Sequence, residues 1–554
     1  MSEAQIKEDK TSASTTTPAT VLEQASDTVE PYSAFSATKR QAITLLLSVA
    51  ALVSPLTATI YLPLLPPLAA HFSTSIQAIN LTITLYIIFQ ALAPLLLSTH
   101  SDTLGRRPIY LATFALYTIA SLGLALNRSS YAALLILRAV QSLGASAVLS
   151  ICYGTVADVS PSSSRGRILG PMMASSNLGT AIGPVLGGWI TYSSGSVWWA
   201  FWGLVIFGAA MFALLVSFMP ETARNVVGNG SISDRGWNRP LVELLTSRCG
   251  ARQSTHHGDN RDAVSGQREL AGPTRKFHFA SPFISVRMMF HPDTALILWI
   301  VGCFYALWYT VQASIPLTFR AEPYRFNELQ IGLAYLPGAL GVVLCMYLTG
   351  KAMDHNYRVL AARQRGSDYG AGNSNGTDTE RATHQHQQNK DIPIDEFPIE
   401  RARSRFTPPL LLLSLIATVG YGWALHTRAH AAVGLVLQFL MGFLATWILN
   451  MFNALLVDGF PEAPAAAATA GNLVRCGFSA GAVAALQPLT QKIGQGWFFT
   501  LVGILSGAAG LVATCVLNEK GMGWRRKRSE RRKNRDEKGE WTGRDDGGGG
   551  GGDR

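Results

Sequence analysis

Twelve apolar stretches, each about long enough to cross a lipid bilayer, dominate the sequence. A helix of roughly 20 mostly apolar residues spans the ~30 Å of hydrocarbon in a bilayer. Because hydrocarbon offers no water to the peptide groups, such segments must form helices. The alternative, a large soluble protein with buried helices, is disfavoured by so many long segments. The predicted spans are 42–64, 77–97, 109–126, 131–152, 170–191, 198–219, 294–315, 329–349, 409–426, 431–452, 466–489 and 497–516.

One polar motif occurs twice, at the same place in each half of the chain. An acid followed by basic residues comes directly after the second and the eighth span. Such a cluster can act as a gate at the membrane surface, because an acid there can meet the positive end of a neighbouring helix. The alternative is an ordinary basic loop with a turn. The motif residues are Asp102, Gly105, Arg106 and Arg107 in the first copy and Asp354 and Arg358 in the second.

A second repeat supports duplication of the chain. The fourth span ends in an Asp-x-x-Pro element at Asp158, and the tenth ends in the same element at Asp458. These aspartates are 300 residues apart, against 252 for Asp102 and Asp354, and a polar insertion after the eighth span accounts for the difference. We assign both aspartates to the predicted gate.

These repeats predict an all-α membrane protein with twelve transmembrane helices in two pseudo-symmetric six-helix bundles. Solute transporters are commonly built from such repeats around a central site. The predicted organisation is a disordered cytosolic tail (1–40), an N-terminal bundle (41–219), a cytosolic central loop (220–293), a C-terminal bundle (294–519) with a disordered insertion at about 359–405, and a basic cytosolic tail (520–554).

The distribution of Lys and Arg predicts the orientation. Basic residues flank the even-numbered connections and both ends, whereas the loops 71–76 and 192–197 contain none. The positive-inside rule therefore places both termini in the cytosol. The chain carries a formal net charge of +11, and its basic C-terminal run is expected to meet anionic lipid rather than nucleic acid.

The sequence offers no signature of an enzyme or a metalloprotein. The six cysteines form no disulfide framework, and no Cys or His cluster suggests a metal or another cofactor. It also contains no Gly-x4-Gly-Lys-[Ser/Thr] loop, which disfavours pumping driven by ATP. We expect a monomer whose partners are the bilayer and a small organic substrate.

An arginine within the fourth span is the most conspicuous candidate for a substrate site. Arg138 is followed one turn later by Gln141, on nearly the same helix face. A charge in an apolar span is costly and usually faces a cavity or a partner. The alternative is that Arg138 extends its side chain to the outer interface.

Further polar and aromatic residues lie at the depth where transporters bind substrate. They share faces of the seventh and tenth spans, or lie on the second and eleventh. Packing and interhelical hydrogen bonds are the alternative role for each. The candidates for the substrate cavity, besides Arg138 and Gln141, are Gln90, Tyr305, Trp308, Tyr309, Gln312, Asn450, Asn453 and Asn472.

A glycine string in the fifth span predicts close helix packing. Glycines four residues apart form a smooth stripe that another helix can approach closely, and an included proline removes a backbone donor. The string consists of Gly179, Gly183, Pro184, Gly187 and Gly188.

Together these motifs resemble the major facilitator superfamily, in its fungal drug:proton antiporter branch with twelve helices. The loop motif, Arg138-x-x-Gln141 and the glycine string match three signatures of that branch. Pro220-Glu-Thr, Leu456-Val-Asp458 and the segment from Asn472 to Cys476 resemble its quinidine-resistance and dityrosine exporter subgroup. The resemblance implies export of drugs, toxins or metabolites in exchange for protons, across the plasma membrane.

The proton carrier stays open at this stage. No Asp or Glu lies near the middle of a predicted span, which leaves the four gate aspartates and two histidines, His71 and His100, as candidates. Proton coupling is therefore implied by the resemblance alone. The alternatives to proton-coupled export are a proton-independent uniporter or importer of a metabolite and a receptor that transports nothing.

Overall fold

The computed structural model describes residues 35–160, 166–228, 283–349, 406–460 and 464–537, with isolated positions at 33, 240–242, 400 and 404. Within these ranges the long elements are all helices. They are α1 (Ala37–His71), α2 (Ile76–Leu104), α3 (Arg106–Leu126), α4 (Tyr131–Val159), α5 (Gly166–Ser194), α6 (Trp198–Phe218), α7 (Pro292–Arg320), α8 (Glu328–Thr349), α9 (Thr407–His426), α10 (Ala431–Asp458), α11 (464–493) and α12 (495–537).

Each of the twelve predicted spans corresponds to one of these helices. Ten described stretches are long and apolar enough to cross a membrane, and the last, Ala466–Arg531, includes both α11 and α12. Those two helices meet at Gly494, whose φ of 81° interrupts the helical backbone. The remaining span, α5, is rich in glycine and serine and contains two prolines, which dilute its apolar character. The predicted all-α fold is confirmed.

Several helices are longer than the spans predicted from apolar length. At the predicted cytosolic face α2 continues to Leu104, α4 to Val159, α10 to Asp458 and α12 to Glu537. Hydropathy marks only the part of a helix inside the hydrocarbon, whereas the backbone hydrogen bonds continue into polar residues. Residues 520–537, predicted as part of a tail, therefore belong to α12.

The helices pack as two halves, α1–α6 and α7–α12. In the first half α1 packs on α5, α2 on α4, and α3 on both α4 and α6. In the second half α7 packs on α10 and α11, and α9 packs on α10 and α12. The halves meet mainly where α2 contacts α11 and α5 contacts α8.

Some predictions fall on residues outside the described ranges. They include the gate residues Asp354 and Arg358, and most of the predicted N-terminal tail, central loop and insertion.

Candidate substrate and gating sites

Arg138 of α4 is buried, with 1% of its surface exposed. Its guanidinium carbon lies 4.1 Å from the centre of the Tyr61 ring and 4.3 Å from that of Tyr86, within the range of cation–π contacts. Nη1 donates to Oε1 of Gln141 at 2.7 Å. Nε and Nη2 have no hydrogen-bond partner among the described residues. Arg138 is therefore buried, and the alternative of a side chain extended to the outer interface is wrong.

The neighbouring polar residues fix the position of this guanidinium. Gln141 donates through Nε2 to Oγ of Ser121 at 2.8 Å, so its oxygen is oriented towards Arg138. The carbonyl oxygen of Thr57 lies 3.5 Å from Nη1, and the hydroxyl of Thr57 is hydrogen-bonded to that of Tyr117 at 2.9 Å. Gln141 thus acts on the site through Arg138.

The second half contributes a second arginine beside two predicted cavity residues. Tyr305 and Tyr309 of α7 have ring centres 5.0 Å apart. The guanidinium carbon of Arg475, in α11, lies 5.0 Å from the centre of the Tyr305 ring. Its Nε and Nη2 donate to Oδ1 of Asn472 at 3.0 and 2.8 Å. Aromatic rings and a basic group therefore come together here, as they do around Arg138.

A hydrogen bond joins the halves at this level. Asn472 of α11 donates through Nδ2 to the backbone oxygen of Gln90 in α2 at 3.4 Å. The side-chain oxygen of Gln90 is buried and has no partner in the part of the chain that the structure describes. These two predicted cavity residues thus lie at the boundary between the halves.

Trp308 and Gln312 lie farther along α7, beside a cavity of about 10 Å³. This is about the space of one water molecule. Asn177 of α5 and Tyr335 also line the cavity, and the Tyr335 hydroxyl donates to the backbone oxygen of Gln312 at 2.9 Å. This cavity is therefore too small for a substrate in the present state.

Asn450 and Asn453 are half-buried on α10. Asn453 faces α11, because its Oδ1 lies 3.8 Å from the point where a side chain on Gly471 would begin. The structure brings neither asparagine into hydrogen-bond contact with the tyrosines and arginines above, all of which lie in the described ranges.

The predicted gate residues of the first half form an ion-pair cluster. Arg106 pairs with Asp102 at 2.5 Å and with Asp158 at 2.9 Å, and Nη1 also donates to Oγ of Ser101. The side chain of Asp158 is 12% exposed, against 52% for Asp102, so the Asp158 pair is the better shielded from water. All these partners belong to the first half. The cluster therefore ties α2, α3 and α4 to one another.

Glu221, which follows α6, completes this cluster. Its carboxylate accepts from the backbone N–H groups of Arg106 at 2.8 Å and Arg107 at 3.2 Å, in the first turn of α3. A carboxylate at a helix N-terminus satisfies donors that lack partners inside the helix. Gly105, with φ of 109°, leaves room for it, since a Cβ there would lie 2.5 Å from Oε2 of Glu221. Arg107 donates in turn to the backbone oxygen of Val216 at 2.7 Å.

The second half has its own ion pairs at the same face. Arg528 of α12 pairs with Asp293 at the start of α7 at 2.5 Å and donates to the backbone oxygen of Gly459 at 2.9 Å. Gly459 directly follows Asp458, the half-buried last residue of α10. Arg528 thereby joins three helices of this half.

The glycine string of α5 serves two interfaces. A Cβ on Gly183 would lie 2.1 Å from Oγ1 of Thr59, and one on Gly187 would lie 2.3 Å from the backbone oxygen of Ile60, so this side lies on α1. Gly179 also faces α1, near the backbone oxygen of Leu52.

The other side of the same string faces α8 across the boundary between the halves. A Cβ on Gly188 would lie 2.4 Å from the backbone oxygen of Glu328. One on Gly332 would lie 2.7 Å from the backbone oxygen of Pro184. The backbones of α5 and α8 thus cross without side chains between them.

Arg475 and Glu221 are among the residues of these sites that the sequence-based candidates did not include. Arg475 carries the same signal as Arg138, a charge in an apolar span, but the sequence marks it only as part of the segment that resembles the exporter subgroup. Glu221 is likewise marked only as the glutamate of the Pro-Glu-Thr element. Its role depends on a contact with α3 more than a hundred residues away, which no local pattern reveals.

Comparison with known proteins identifies the family. A family model described as "Major Facilitator Superfamily" matches residues 47–365. The "MFS-type transporter phiD" of Fungal sp. is 35% identical over 506 residues, which cover 91% of this chain and 72% of that protein. "Citrate exporter 1" of Aspergillus niger is 32% identical over 517 residues, which cover 92% of each chain.

Solved structures share the fold at low sequence identity. The human organic anion transporter MFSD10 aligns with a TM-score of 0.51 and 17% identity, over 85% of this chain and 99% of that one. The xylose transporter XylE from E. coli, in an inward open conformation, aligns with a TM-score of 0.54 and 14% identity, over 85% and 95%. With a family model that matches more than half of its length, this chain belongs to the major facilitator superfamily and is a multi-pass membrane transporter.

Proposed function

We propose that this protein exports a small organic molecule from the cytosol in exchange for protons, by alternating access to a site between its two halves. The main support is the group of tyrosines and arginines that α2, α4, α7 and α11 bring together at the boundary between the halves. The similarity to a protein named as a citrate exporter also favours export. We place the protein in the plasma membrane as a monomer with both termini in the cytosol.

The contacts between the halves favour loading from the cytosol. Gly188 of α5 meets Glu328 at the start of α8, and Gln77 of α2 donates to the backbone oxygen of Ala484 in α11 at 3.1 Å. These contacts lie towards the predicted outer face. A state closed on that side receives substrate from the cytosolic side.

The ion-pair cluster around Arg106 has a mechanical role in this proposal. Because its described partners all belong to the first half, it stiffens that half so that its helices rotate together. Asp158→Asn removes the better shielded pair and is expected to slow transport more than Asp102→Asn. Equal, wild-type transport in both variants contradicts this role.

Proton coupling is tested by flux with and without a proton gradient. Purified full-length protein in proteoliposomes is offered labelled citrate, benzoate, glucose and tetraphenylphosphonium, one at a time. Flux that follows an imposed pH gradient supports antiport, whereas equal flux without a gradient indicates a uniporter. A folded protein that moves none of these compounds favours the receptor alternative and contradicts the proposal.

A further inference from the structure

Each half places an arginine within its membrane-spanning helices, Arg138 in α4 and Arg475 in α11. None of the ion pairs found in the described ranges involves either residue. A charge in the membrane interior is costly unless it is paired or faces a cavity. Contacts with tyrosine rings offset only part of that cost. Two positive charges with no acidic partner in these ranges therefore need another explanation.

The two guanidinium groups lie near the same group of tyrosines. Tyr309 of α7 lies in the neighbourhood of both Arg138 and Arg475. Tyr86, whose ring centre lies 4.3 Å from the guanidinium carbon of Arg138, is also near Tyr305, whose ring centre lies 5.0 Å from that of Arg475. Tyrosines from both halves thus lie near the two arginines.

The unused edge of Arg138 has the shape of a carboxylate site. Gln141 occupies Nη1, whereas Nε and Nη2 have no hydrogen-bond partner among the described residues. These two nitrogens lie on one edge of the planar guanidinium and point in parallel. Two parallel N–H donors match the two oxygens of a carboxylate.

We propose that Arg138 and Arg475 bind an anionic substrate between the halves, an organic acid with one or more carboxylates. This inference rests on the proposed export function and names its substrate class. One carboxylate binds the free edge of Arg138, and Arg475 supplies the second positive charge from the opposite half. A substrate that contacts both arginines also draws the halves together, which alternating access requires.

The same charges select against other substrates. A cation entering this region meets two like charges in an environment of low dielectric constant, where repulsion is much stronger than in water. A neutral compound leaves the Nε and Nη2 donors of Arg138 without a charged acceptor. The expected order of affinity is therefore carboxylate, then neutral compound, then cation.

The test measures binding to purified full-length protein by thermal stabilisation. The probes are citrate, benzoate, glucose and tetraphenylphosphonium. We expect the carboxylates, and not the cation, to stabilise the wild-type protein. Arg138→Gln and Arg475→Gln are each expected to weaken carboxylate binding by about 10- to 100-fold, the range for a lost hydrogen bond to a charged group.

Two further variants separate recognition from folding. Arg138→Lys keeps the positive charge but lacks the two parallel N–H donors, so this variant is expected to bind carboxylates with intermediate affinity. Arg128→Gln changes an exposed arginine that lies 4.6 Å from the centre of the Trp198 ring at the predicted outer face, and it is expected to bind like the wild type. Size-exclusion chromatography verifies that each variant is folded.

Three results overturn the inference. They are failure of every carboxylate to stabilise the protein, equal or stronger stabilisation by tetraphenylphosphonium, and wild-type carboxylate affinity in both glutamine variants. Flux of glucose or tetraphenylphosphonium without carboxylate binding leaves the proposed export function standing. Absence of flux for all four compounds counts against the export function itself.

Discussion

A buried carboxylate, that of Glu221, holds the start of α3 in the first half. It is 3% exposed and accepts four backbone hydrogen bonds, two from the start of α3 and two from Thr222 and Ala223 at 2.9 Å. Glu221→Gln keeps the size of the side chain but removes its charge and turns one acceptor into a donor. We expect lower thermal stability, because α3 then begins without its anionic partner.

The magnitude follows from the hydrogen bonds. A bond to a charged group contributes about 1.5–3 kcal/mol and a neutral one about 0.5–1.5 kcal/mol. In the Glu221→Gln variant the remaining side-chain oxygen can keep its partners, whereas the new amide group faces the N–H of Arg107. Since such losses are not additive, we expect a total of about 2–4 kcal/mol. For a cooperative unit of about 200 residues, this lowers the melting temperature by about 5–15 °C.

The assay is the melting temperature of detergent-purified protein, with transport measured in parallel. Glu328→Gln is the matched control, because the Glu328 side chain is 25% exposed and forms an ion pair with Arg320 at 2.9 Å. A partly exposed pair contributes about 0–1 kcal/mol, so the control is expected to melt within about 3 °C of the wild type. If Glu221→Gln melts as the control does, the assigned role of the buried carboxylate is refuted.

Two other perturbations test the packing of the halves. Gly187→Ala places a Cβ 2.3 Å from the backbone oxygen of Ile60 and is expected to lower the melting temperature. Its control, Gly170→Ala, adds a Cβ with no atom within 4 Å and is expected to leave the melting temperature unchanged. Equal melting temperatures of the two variants refute the close approach of α1 and α5. Arg528→Gln removes the ion pair with Asp293 at the start of α7 and is expected to reduce both thermal stability and transport. Its control, Arg526→Gln, changes an exposed arginine of α12 and is expected to leave both unchanged. Equal stability of the two variants refutes a stabilising role for the ion pair.

Much of the fold was predictable because membrane helices have a simple physical requirement. Apolar length located all twelve helices, but their ends at the predicted cytosolic face were missed, since helices there continue in polar sequence. Arg138 was found because a charge is rare in an apolar span. Its two ring partners, Tyr61 and Tyr86, lie on other helices, and their contact with it depends on packing that no local pattern encodes.

The duplication is preserved in geometry beyond what the sequence motifs show. Arg224, after α6, donates to the backbone oxygen of Asp158 at the end of α4, and Arg528, in α12, donates to that of Gly459 at the end of α10. Cations at helix C-termini are stabilised by the carbonyl groups that lack partners there. Each half thus ties its fourth helix to its sixth helix or to the segment that follows it. Because these bonds lie within a half, they stiffen each half internally without joining it to the other.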